Sequence, residues 1–105
     1  MGAHNLSDRA VGKTMREAYD SAVSYAESEY GHNAYNGTIS TTEGFNDHTP
    51  KLEKLIKEHG EKEGIRMWYD EAWDNTSKWE EVWGAKHPEK KDKENLYIFA
   101  GWAAE

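Results

Sequence analysis

Leu96-Tyr97-Ile98-Phe99-Ala100-Gly101-Trp102 is an unbroken apolar run near the end of the chain. It has the length and composition of a strand, and helices are expected to cover one face of the sheet it belongs to. It is therefore the candidate for a central strand. Two further segments read outward from it. Thr38-Ile39-Ser40-Thr41-Thr42 is β-branched and alternating, and is expected as a strand entered through the turn dipeptide Asn36-Gly37. Two strands alone make no stable sheet. The sheet must be completed by the N-terminal arm, residues 1–13, which reads as irregular or as a short edge strand, or by the neighbourhood of Phe45.

The helical signals are clearer. Thr14-Met15-Arg16-Glu17 has the form of a capping box. Met15, Ala18, Tyr19, Ala22, Val23, Ala26 and Tyr30 then recur at helical spacing, and Gly31 is a natural stop. Thr49-Pro50 starts a second helix, with Thr49 as N-cap and Pro50 in the first turn. Leu52, Leu55, Ile56 and His59 mark its inner face, and Gly60 ends it. Residues 65–83 read as two short helices, broken at Asp74-Asn75-Thr76-Ser77 and ended by Gly84. His87 to Asn95 reads as a charged loop. The expected class is α+β: a small antiparallel sheet of two to three strands packed against a long N-terminal helix and further short helices, in a single domain over residues 1–105.

Composition narrows the function. Only 36% of residues are apolar and 31% are charged, a balance that would permit disorder were it not for five Trp and six Tyr. Aromatic side chains bury enough area to build a core where aliphatics are scarce. There is no cysteine, so disulfides and thiolate metal sites are excluded. Met1-Gly2-Ala3-His4-Asn5 has no apolar run, and no stretch has the length of a membrane span. A cytoplasmic protein is expected. The net charge is −7, and it is unevenly spread. Between Glu17 and Asp47 lie six acids and no Lys or Arg, and between Glu58 and Glu81 eight acids face only Lys62, Arg66 and Lys78. Such surfaces repel a phosphate backbone and suit a basic partner. Direct nucleic-acid binding is not expected.

No catalytic constellation stands out. No two of the five histidines have the spacing of a helical metal pair. Asp47-His48 reads as a helix-leading loop in which the carboxylate meets the positive helix end. The hydroxyls of Thr38, Ser40, Thr41 and Thr42 lack a nucleophile-elbow motif. The expectation is a non-enzyme with no cofactor and no metal. Five tryptophans cannot all be exposed without making a sticky surface. Trp73 and Trp79, which flank the polar break, are the expected exposed anchors. With Asp70, Glu71, Asp74, Glu80 and Glu81 they form the candidate partner-binding set. An alternative ligand-binding set, for a nucleotide or signal molecule, is Tyr35, Asn36, Thr38 and Ser40 on the turn. A homodimer would be one way to bury surplus tryptophan.

Tyr30-Gly31-His32-Asn33-Ala34-Tyr35-Asn36-Gly37-Thr38-Ile39-Ser40-Thr41-Thr42, following an alanine-bearing helix, resembles a group of small uncharacterised proteins from phages and mobile elements. Phe99-Ala100-Gly101-Trp102-Ala103 resembles their aromatic-Gly-Trp-Ala ending, whereas Pro50 to Glu94 shows no such likeness. The group has no agreed activity, so the resemblance assigns no functional residue. What it implies is context: a small acidic phage protein that binds and blocks a host enzyme or defence complex inside the bacterial cell. The acidic segments and the Trp-rich middle add the expectation that the target is a nucleic-acid-handling system such as CRISPR, whose basic sites they would occupy.

Overall fold

The apolar run lies at the heart of the fold. The computed structural model describes residues 3–30, 38–77, 80–90 and 94–104. Strand β4 (Asn95–Ala104) lies between β1 (Ala3–Gly12) and β3 (Val82–Lys90), and the short β2 (Phe45–Asp47) lies beyond β3. β1 and β3 run antiparallel to β4, while β2 pairs parallel with β3. The class is α+β, but the sheet is four-stranded and mixed, not an antiparallel sheet of two to three strands. Both the N-terminal arm and the neighbourhood of Phe45 complete it.

Helices cover both faces of the sheet, not one as expected, which is why β4 does not alternate. Tyr97, Phe99 and Ala103 meet Ala18, Tyr19 and Ala26 of α1 (Met15–Tyr30) on one side. Ile98 and Ala100 meet Leu52 and Leu55 of α2 (Thr49–His59) and Trp68 and Ala72 of α3 (Glu61–Asp74) on the other. Trp68 and Phe99 are fully buried, and each such side chain contributes roughly 1.5–3 kcal/mol. The first helix does not open the fold, since it follows β1. Its cap is half of the expected box: the Glu17 N–H donates to Thr14 Oγ1 at 3.2 Å.

The two helices on the far face form a close pair. Gly60, at φ 89°, ends α2 and sends its N–H to the Ile56 carbonyl at 2.8 Å. At Gly64 a Cβ atom would stand 2.7 Å from the backbone of Ile56, so only glycine permits the approach of α3 to α2. His59, expected on the inner face of α2, is exposed instead.

Three sequence expectations are corrected. Thr38–Thr42 is not a strand, because Ile39–Thr41 forms a 3-10 turn. The Thr41 hydroxyl donates to the Thr38 carbonyl at 2.9 Å and the Thr42 hydroxyl to the Ile39 carbonyl at 2.6 Å. Threonine hydroxyls that bond their own backbone in this way compete with strand pairing and override β propensity. Residues 65–83 hold the greater part of one helix, α3, and then the start of β3. The charged stretch from His87 belongs to β3 as far as Lys90, with a register shift between Lys86 and Lys90 that spans Pro88. The stop at Gly31, the turn at Asn36-Gly37, and Trp79 lie outside the described residues.

Candidate partner-binding cleft

The cleft arises from the one parallel pairing in the sheet. Phe45 stands opposite Val82 and Asp47 opposite Gly84. The residues just before these strands are therefore brought side by side: the Val82 N–H donates to the Gly44 carbonyl at 2.9 Å, and the Glu43 N–H approaches the Glu80 carbonyl at 3.5 Å. Gly44, at φ 138°, makes the bend that allows this. Glu43 thus lies beside Glu80 and Glu81, although the chain separates them widely.

The end of α3 closes the other side. Asn75 caps the helix with its N–H on the Glu71 and Ala72 carbonyls, and its Nδ2 donates to the Glu71 carbonyl at 2.7 Å. The Thr76 hydroxyl donates to the Ala72 carbonyl at 2.7 Å. These bonds satisfy the orphan carbonyls of the last turn. The Glu80 carboxylate accepts from the Ser77 N–H at 2.6 Å and from its hydroxyl at 2.8 Å. The Glu81 carboxylate accepts from Asn46 Nδ2 at 3.0 Å. The resulting cavity, about 400 Å3, is lined by Glu43, Asn46, Asn75, Thr76, Glu80, Glu81 and Trp83. Its described lining holds three carboxylates and no Lys or Arg, and a concave site of one sign focuses its field on incoming cations.

Trp83 forms the aromatic wall. Its ring stacks on His48 with centroids 3.9 Å apart and planes 11° from parallel, and Trp68 packs at 6.0 Å. Burial pushes the His48 imidazole below its ordinary pKa, opposed by the neighbouring Asp47 carboxylate. Asp47 itself accepts from the Thr49 N–H at 2.9 Å and its hydroxyl at 2.6 Å, at the positive end of α2. His48, not Thr49, occupies the N-cap position.

The remaining members of the sequence-derived set lie elsewhere or are already engaged. Asp70 pairs with Arg66 at 3.2 Å, both exposed, and Glu71 with Lys51 at 3.0 Å, both half-buried. Asp74 is exposed at the end of α3. Trp73 is half-buried. Its Nε1 donates to the Leu6 carbonyl at 2.8 Å, its ring stacks on Tyr69, and its carbonyl accepts from Trp102 Nε1 at 2.7 Å. It fastens α3 to the β1 side of the sheet. The structure therefore brings Glu80 and Glu81 together with Glu43 and Trp83, neither of which the sequence singled out as a site residue. No local signal marks Glu43, because its neighbours come from the parallel pairing.

Of the alternative set, Tyr35 and Asn36 lie outside the described residues. Thr38 borders a different groove, between β1 and α1, and Ser40 lies in the 3-10 turn. Among the described residues, no group of three or more His, Cys, Asp or Glu is arranged to hold a metal ion. No described helix is long and apolar enough to cross a membrane. No protein-family model matches the chain, and neither does any curated protein or solved structure.

Proposed function

We propose that the chain is a non-enzymatic interaction module that takes a cationic side chain of a basic protein partner into the acidic cleft. The observation that carries this reading is the parallel β2–β3 pairing, which sets Glu43 beside Glu80 and Glu81 against the Trp83 ring. Carboxylates and an aromatic wall together suit a guanidinium or ammonium group, which gains both ion pairing and a π contact. The half-exposed acids of α3 add a diffuse field that favours encounter with a basic surface. In the setting that the family resemblance implies, the partner is a nucleic-acid-handling host system, such as a CRISPR effector, in the bacterial cytoplasm. The chain then acts as an inhibitor by occupying a surface made for phosphate.

Capture of partners from a bacterial host lysate, repeated with a Glu80→Lys, Glu81→Lys variant, tests the proposal. Recovery of the captured protein is expected to fall by about tenfold or more, as for loss of a desolvated charge pair. An Asp70→Lys variant is expected to lower it far less, because Asp70 lies outside the cleft and contributes only to the diffuse field. Undiminished capture by the cleft variant rules the cleft out.

A further inference from the structure

The opposite edge of the sheet carries a second, independent feature. β1 is an edge strand of ten residues, and no described strand pairs with its outer side. An open edge of this length is a template for another strand. A groove of about 810 Å3 runs along it. Every residue from His4 to Val11 lines that groove. The far wall is α1, through Ala22, Tyr25 and Ala26. Tyr25 and Val11, at 68% and 41% exposure, are the exposed large hydrophobic residues of the described chain, and both border this groove.

The charge of the edge selects its occupant. Asp8 shares the strand face of Leu6 and Ala10, which pack toward α1. Asp8 is half-buried, and its carboxylate has no hydrogen-bond or ion-pair partner among the described residues. Arg9 points to the other face and lies 3.6 Å from Glu89. A second copy pairing antiparallel in a continuous sheet, with Asp8 near the dyad, would bring two such carboxylates together. A Lys or Arg from a different strand would neutralise the one that is there.

We propose that the β1 edge docks an extended segment of a partner protein as a fifth strand, with a basic side chain opposite Asp8 and apolar side chains opposite Leu6 and Ala10. The backbone supplies the ladder, the groove against Tyr25 takes the apolar side chains, and Asp8 sets the preference for a cation.

The blocked peptide Thr-Ile-Thr-Lys-Thr-Ile-Thr and its Glu-for-Lys and Leu-for-Lys counterparts, titrated into the full chain and followed by calorimetry and amide hydrogen exchange, test this. The Lys peptide is expected to bind, to slow exchange along β1, and to exceed the Glu peptide by about tenfold in affinity. Asp8→Asn is expected to abolish the preference for Lys over Leu. Tyr25→Ala, a change at an exposed site, is expected to weaken all three peptides without disturbing the fold. The Glu80→Lys, Glu81→Lys variant is expected to bind the Lys peptide unchanged, which separates this edge from the acidic cleft. Equal binding of the Lys and Glu peptides, protection outside β1, or no binding up to about 1 mM overturns the proposal. So does a concentration-dependent dimer that already protects β1 without peptide.

Discussion

One hydroxyl decides the fate of the threonine-rich segment. Thr41 Oγ1 donates to the Thr38 carbonyl and accepts the N–H of Ala104, each at 2.9 Å, so it shapes the 3-10 turn and ties it to β4. Thr41→Val keeps the branching and strands the Ala104 N–H in the interior. The expected loss is about 1–3 kcal/mol, read as a lower urea midpoint. His48 carries a pH signature. Its imidazole, pressed on Trp83, has a folded-state pKa below the ordinary 6.5. As pH falls the unfolded chain takes up the proton first. The contribution is therefore present above about pH 6.5 and is lost progressively as pH drops toward the folded-state value. His48→Phe, which keeps a ring on Trp83, is expected to flatten the fall in urea midpoint between about pH 7 and pH 5.5. The role of Asp47 at the start of α2 was legible in the sequence because its partner is two residues away. The stacking of His48 was not, because Trp83 is distant in the chain.

Elements with local signals were legible. α1 announced itself by Thr14, Glu17 and an apolar stripe, and α2 by Pro50 and Gly60. β3 was misread because Trp79, Val82 and Trp83 fit a helical spacing as well as a strand, and Gly84 resembled a stop. Gly84 is in fact an interior strand residue where Met15 and Phe99 close in. The packing of α2 on α3 gives a direct test. Gly64→Ala adds helix propensity, but its Cβ would meet the Ile56 backbone, which cannot swing aside as a side chain end can. Overpacking is expected to outweigh propensity, with a net loss of about 1–3 kcal/mol by thermal or urea unfolding.

At the scale of the molecule, β3 and β4 both have a neighbour on each side, but the outer neighbour of β3 is the three-residue β2, whereas β4 is paired with β1 along its whole length and has helices over both faces. Its amides from Leu96 to Ala103 are expected to exchange at the slowest, global rate. Those of β2, three residues long at an edge, are expected to exchange by local opening. Hydrogen exchange resolved by residue checks this order, and faster exchange in β4 than in β3 would contradict the topology. The centrality of the apolar run could be read from composition alone. The parallel partner of β3, and with it the cleft, could not, because nothing near Glu43 in the sequence refers to Glu80.

The placement of β4 also bears on how the protein is made. Its central strand is the last described element to leave the ribosome, and β1, the first, has its described partner only there. Until residue 104 has been synthesised, α1 has no complete sheet to cover and β3 lacks its long antiparallel partner. The α2–α3 pair, joined by Gly60, and the β2–β3 pairing can gather beforehand. Closure of the core on both faces of the sheet is therefore expected only once β4 has been made.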